Sequence, residues 1–136
     1  RCLEICPKNS KLKPREDFPF KSEEKEDSPL LEPLILAADE EYRKILPYHV
    51  YKYGIEAIRR DVIIASGNSK DEVLLEELGK GLYELDEKCR GLCAWALGEI
   101  GGRRADKLLS EAYKTEYRES VRQEIEYARK NIKERG

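Results

Sequence analysis

Apolar residues recur three and four positions apart through most of this chain, and charged residues fill the places between them. Ser28-Pro29 suits a helix start, with serine as cap and proline in the first turn, and Leu30, Leu31, Leu34 and Ile35 follow at helical spacing. Asp39 opens a short helix with Tyr42, Ile45 and Leu46 on one side, which Pro47 stops. Tyr48 to Tyr53 reads as loop or a single turn. Ile55, Ala57, Ile58, Val62, Ile63 and Ala65 predict a helix over 55–66, ended by Gly67-Asn68. Asp71 starts another, whose stripe is Val73, Leu74, Leu75, Leu78, Leu82 and Leu85. A helix over 87–98 holds the small apolar run Leu92-Cys93-Ala94-Trp95-Ala96-Leu97, and Gly98, Gly101 and Gly102 are expected to cut it off. Two more follow, over 103–114 with Ala105, Leu108, Leu109, Ala112 and Tyr113 inward, and over 119–133 with Val121, Ile125, Ala128 and Ile132. No strand-like alternation competes. The predicted class is all-α.

A period runs through these helices. Arg90 and Arg122 stand 32 residues apart, and Gly67 with Leu74-Leu75 is matched by Gly101 with Leu108-Leu109 at an offset of 34. Periods in the low thirties with two helices per unit predict an α-solenoid of about two and a half helix pairs over 29–136, whose last helix, polar at Lys130, Asn131 and Lys133, serves as a cap. Residues 1–28 show neither period. They hold Pro7, Pro14, Pro19 and the charged run Lys21 to Asp27, with Leu12, Phe18 and Phe20 as the only candidate anchors, and are expected to form an irregular segment.

Charge changes this picture in one respect. The 136 residues carry 26 basic and 28 acidic side chains, a net −2 that implies no bulk attraction to nucleic acid. The balance is uneven, at −5 over 1–86 and +3 over 87–136, so a basic face on the C-terminal half is open. No apolar run approaches the roughly 20 residues of a membrane span, and the chain reads as cytoplasmic with no membrane partner. It contains no methionine and opens on Arg1-Cys2, as a piece of a longer protein would.

The run Arg90…Ala94-Trp95-Ala96-Leu97-Gly98-Glu99-Ile100-Gly101, followed by Arg104-Ala105 and Leu108-Leu109, resembles HEAT-like repeats of the phycobilisome-lyase type. The opening Cys2-Leu3-Glu4-Ile5-Cys6-Pro7-Lys8-Asn9 resembles the end of a ferredoxin-type cluster motif. Together with Glu41-Tyr42-Arg43 and the span Ile58 to Ser69, these segments stand in the order found in the C-terminal region of epoxyqueuosine reductases. Asp61 departs from that pattern where asparagine is expected, and Lys8 where tryptophan is common. The resemblance implies a cobalamin-dependent iron–sulfur enzyme of queuosine tRNA modification. Its 4Fe–4S clusters, cobalamin and catalytic acid would belong to the longer parent. Residues 1–28 would then be the tail of a cluster domain plus linker, and 29–136 a helical domain that helps to hold tRNA.

The candidate residues follow from this. Cys2 and Cys6 would ligate clusters in the parent, but two thiolates complete no cluster, so none is expected on this chain alone. Arg59, Arg60, Arg103 and Arg104 are expected beside the turns along one edge, where guanidiniums could meet tRNA phosphates; bonding to neighbouring helix carbonyls is the alternative. Asn68 is expected to cap the helix near Asp71, with a substrate-facing role as the alternative. Arg90 and Arg122 read as structural, and Cys89, Cys93 and Trp95 as core. His49 is the only imidazole, and no nucleophile–base pair or carboxylate dyad is present, so no catalytic residue is assigned. Two other functions fit a repeat of this kind: a scaffold whose concave face takes a protein partner, and a lyase-like chaperone for a chromophore.

Overall fold

The computed structural model describes residues 31–46, 48–52 and 54–136. The predicted helix start at Ser28-Pro29, the stop at Pro47, the side chain of His49, and Cys2 and Cys6 with the rest of 1–28 lie outside the described residues. The described residues are all helical, with no strand. Three short helices, α1 (Leu31–Ile35), α2 (Asp39–Ile45) and α3 (Tyr48–Tyr51), precede five longer ones. These are α4 (Ile55–Ser69), α5 (Leu75–Glu84) after a 3-10 turn at Glu72–Leu74, α6 (Glu87–Ile100), α7 (Gly102–Thr115) and α8 (Glu119–Arg135).

The long helices form two layers. Helices α4, α6 and α8 lie side by side, and α5 and α7 pack behind them. Helix α6 touches α4, α5, α7 and α8, so its small residues set how closely everything else approaches. Cys93, Ala94, Ala96 and Leu97 are fully buried. The apolar positions read from the sequence supply the core on α5, α7 and α8 as well, through Leu75, Leu78, Leu82, Leu109 and Ile125. Val73 and Ala65 are corrections: both are exposed, because the 3-10 turn rotates Val73 outward and Ala65 falls on the solvent side of α4.

Two glycines act differently from the sequence expectation. Gly67 and Gly98 do not end helices; each sits buried inside one. A Cβ on Gly67 would come within 2.7 Å of Trp95 Cζ3 and 3.0 Å of Ala96 Cα, and one on Gly98 within 2.8 Å of Ala128 Cβ. They are the points where α4 meets α6 and α6 meets α8. The helices end instead at Lys70 and Gly101, both with positive φ (55° and 78°). The register of packing is therefore 31 residues for Gly67 to Gly98 and for Lys70 to Gly101, rather than the offset of 34.

Arginines follow the same register. Arg59, Arg90 and Arg122 each donate to a carbonyl of a preceding segment: Ala37 O at 2.7 Å, Leu85 O at 3.0 Å and Glu116 O at 3.1 Å. Each also lies against a tyrosine ring, with Tyr42 under Arg59, Tyr117 under Arg90 and Tyr113 under Arg122. Asp86 caps α6, accepting from the backbone N–H groups of Lys88 and Cys89. Asn68 does not cap the next element: it lies in the last turn of α4, and the Asp71 carboxylate accepts from Val73 N at 3.0 Å instead.

Candidate nucleic-acid interface

Three surfaces are open for a ligand. The largest is a groove of about 820 Å³ across the N-terminal halves of α4, α6 and α8. Its floor is apolar, formed by Ile64, Leu92, Trp95 and Val121. Its rim carries Arg60 and Lys88 against Asp61, Glu87 and Glu124, more acid than base. A polyanion gains nothing from that balance. A second cavity of about 410 Å³ lies at the opposite end of α6, where Arg103 and Lys133 face Gly101-Gly102. A third, about 270 Å³, lies between Tyr113 of α7 and Arg129, Lys130 and Lys133 of α8.

The four expected arginines are not brought together. Arg59 is half-buried and taken up by Ala37 O and the Tyr42 ring, so its guanidinium belongs to the packing of α4 on the α1–α2 segment. Arg60 is exposed on the groove rim, its Nε donating to Glu56 O at 3.3 Å. Arg103 is exposed at the start of α7 beside the second cavity. Arg104 points toward α5, where it pairs with Glu76 at 3.1 Å on open surface. Asn68 is exposed. Arg60 and Arg103 thus stand at opposite ends of α6, and the single edge expected of them is not formed.

Glu116, in the turn between α7 and α8, has no counterpart in the sequence reading. Its carboxylate accepts from Arg90 Nε at 2.9 Å and Nη2 at 3.2 Å, and from the backbone N–H of Tyr117 and Arg118. Burial opposes its ionisation, but Arg90 and the two N–H donors outweigh that and hold its pKa below the ordinary carboxylate value. The only sequence signal is an acid just before the last helix; its partner lies 26 residues away.

Cys89 and Cys93 are buried free thiols on α6. Burial, with Asp86 adding to it, pushes Cys89 up to about 11, and burial also raises Cys93. Thiols so far from thiolate are poor ligands and poor nucleophiles. Among the described residues no three His, Cys, Asp or Glu side chains gather as a metal site, so the donors present do not fit a cluster. Iodoacetamide at pH 8 should leave Cys89 and Cys93 unmodified in the native protein and alkylate both in guanidinium, as read by peptide mass spectrometry. Rapid native labelling of either would contradict the packing described.

Known proteins can be set beside this geometry. The chain matches no family model. It is 32% identical over 130 residues to an uncharacterized protein of Geobacillus stearothermophilus, covering 91% of this chain and 58% of that relative. With an epoxyqueuosine reductase of Bacillus subtilis strain 168 it shares 29% identity over 141 residues, 99% of this chain. The solved Bacillus subtilis enzyme superposes on 96% of the chain with a TM-score of 0.67 and 28% identity. The chain resembles epoxyqueuosine reductase. It spans about a third of the length of these reductases, 36% in both Bacillus subtilis comparisons. A reductase crystallised with a tRNA-Tyr epoxyqueuosine-modified tRNA stem loop also superposes on 77% of this chain and 28% of its own, with a TM-score of 0.66 and 29% identity. Among the described residues no helix is long and apolar enough to cross a membrane.

Proposed function

We propose that this chain is the HEAT-like helical part of an epoxyqueuosine-reductase-like protein in queuosine tRNA modification, and that it contributes tRNA binding rather than catalysis. The observation that carries this reading is the match along 99% of the chain to one third of such a reductase. The superposition on 96% of the chain supports it independently. In this reading Cys2 and Cys6 ligate iron–sulfur clusters of the longer protein, cobalamin sits in the remainder, and the whole works in the cytoplasm. Residues 1–28 belong to the cluster domain and its linker, and 29–136 to the helical domain. Arg60, Asn68, Arg103 and Arg104 remain the candidates facing tRNA; Arg59 supports them from within the fold.

Binding tests this directly. A labelled anticodon stem-loop RNA should bind the 136-residue chain, and Arg103→Glu with Arg104→Glu should weaken binding by tenfold or more while the helical circular dichroism stays unchanged. Equal affinity for the double variant would remove these two arginines from the interface.

The groove across α4, α6 and α8 favours a second reading, a scaffold that takes a protein partner, because its floor is apolar and its rim mixed in charge. Failure of the chain to bind any RNA would favour that alternative.

A further inference from the structure

Helix α7 carries a row that the arginine pairs do not reveal. Arg103, Lys107, Ser110 and Lys114 are spaced four, three and four residues apart, so they share one stripe about 17 Å long at 1.5 Å per residue. The three cations are exposed. Glu111 falls in the neighbouring row with Arg104, the row that turns toward Glu76 of α5.

Helix α8 is divided lengthwise. On its groove side stand Ser120 and Glu124. On its α7 side stand Arg129, Lys130 and Lys133, beside Tyr113. Lys133 also lines the second cavity with Arg103, so the cationic surfaces of the two helices meet there.

The acids within this surface are engaged locally. Asp106 binds Arg129 Nε at 2.7 Å, Glu126 accepts from the Tyr113 hydroxyl, and Glu134 lies 3.8 Å from Lys130. Pairing of this kind leaves Arg103, Lys107, Lys114 and Lys133 with no acidic partner of their own. An exposed cation row without interleaved carboxylates gains most from a polyanion, because each phosphate it neutralises releases a counterion. The groove offers the opposite balance.

We propose that the outward surface of α7 and α8 is a track for an RNA phosphate backbone, formed by Arg103, Lys107, Lys114, Lys130 and Lys133. This deepens the tRNA-binding reading and rests on it. The contacts are to backbone charge and carry no base readout, so recognition of a particular tRNA lies elsewhere.

The test compares the intact chain, Lys107→Gln/Lys114→Gln/Lys133→Gln, and the groove control Arg60→Gln/Lys88→Gln. Each is titrated by anisotropy with an anticodon stem-loop RNA and with a DNA duplex of similar length, from 50 to 200 mM salt. The triple variant should bind the stem-loop at least tenfold more weakly at 100 mM salt, and its slope of log K against log salt should flatten by about 0.7–0.9 for each lost contact. Arginine at the same three positions should restore binding, and the groove control should stay within twofold of the parent. Unchanged affinity and slope in the triple variant, or a larger loss in the groove control, would overturn the track while leaving tRNA binding in place. Lysine-dependent binding to the duplex with none to the stem-loop would uphold a polyanion track and refute the tRNA reading. Absence of binding to both probes would refute both.

Discussion

Glu116→Ala should destabilise the protein by about 3 kcal/mol in denaturant unfolding, the low end of the range for breaking a buried ion pair. The low end applies because the Arg90 side chain retains 12% exposure and Glu116 6%, so water reaches part of the pair. The substitution strands Arg90 beside Leu85 O and removes the acceptor for the first two backbone N–H groups ahead of α8. Glu116→Gln should cost less, since an amide oxygen can still accept from the backbone. The sign with pH follows from the lowered pKa of Glu116, which Asp86 shares. A carboxylate held below its unfolded value contributes fully above about pH 4.3 and loses that contribution as pH falls through the folded value. Stability should therefore decline through the acid range, and Glu116→Gln should flatten the decline. A Glu116→Ala protein as stable as the parent would mean that the turn does not hold α8 to α6.

Gly98→Val should cost about 2 kcal/mol, and Gly91→Ala should gain up to about 1 kcal/mol. Both glycines lie within α6, so helix propensity alone predicts the same sign for both. Space separates them. A Cβ at Gly98 meets Ala128 Cβ at 2.8 Å and its Cα at 3.0 Å, and backbone cannot swing aside as a long side chain can. At Gly91 the nearest atom is Glu124 Cγ at 3.6 Å, an ordinary contact. Thermal unfolding of the two variants should move in opposite directions. A stabilised Gly98→Val would show that α6 and α8 are not in close contact.

This contrast also marks what the sequence could tell. The all-α class and the core of α5 to α8 were legible because apolar periodicity is a local signal. Arg90 and Arg122 were legible because a period of 32 residues is visible in one dimension. Glycine is different: at Gly67 and Gly98 it looked like a stop, and only the atoms opposite, on Ala96 and Ala128, show it as a contact point. Arg59 was misplaced for the same reason. Its partner, Ala37 O, lies 22 residues away in a segment with no helical period of its own. The arginine pairs drew attention because they are adjacent in sequence, yet adjacency sends two side chains to different faces of a helix. Arg103 and Arg104 diverge in that way, one toward α8 and one toward α5. The row from Arg103 to Lys114 is continuous only on the folded surface.

Lysine footprinting asks most directly whether this helical platform holds RNA, and where. Acetylation of the chain with and without the anticodon stem-loop, read by mass spectrometry, reports each ammonium separately. Protection of Lys107, Lys114, Lys130 and Lys133, with Lys80 and Lys88 modified equally in both samples, is the predicted result. Protection confined to Lys88 beside the groove, or no protection at a saturating RNA concentration, would contradict it.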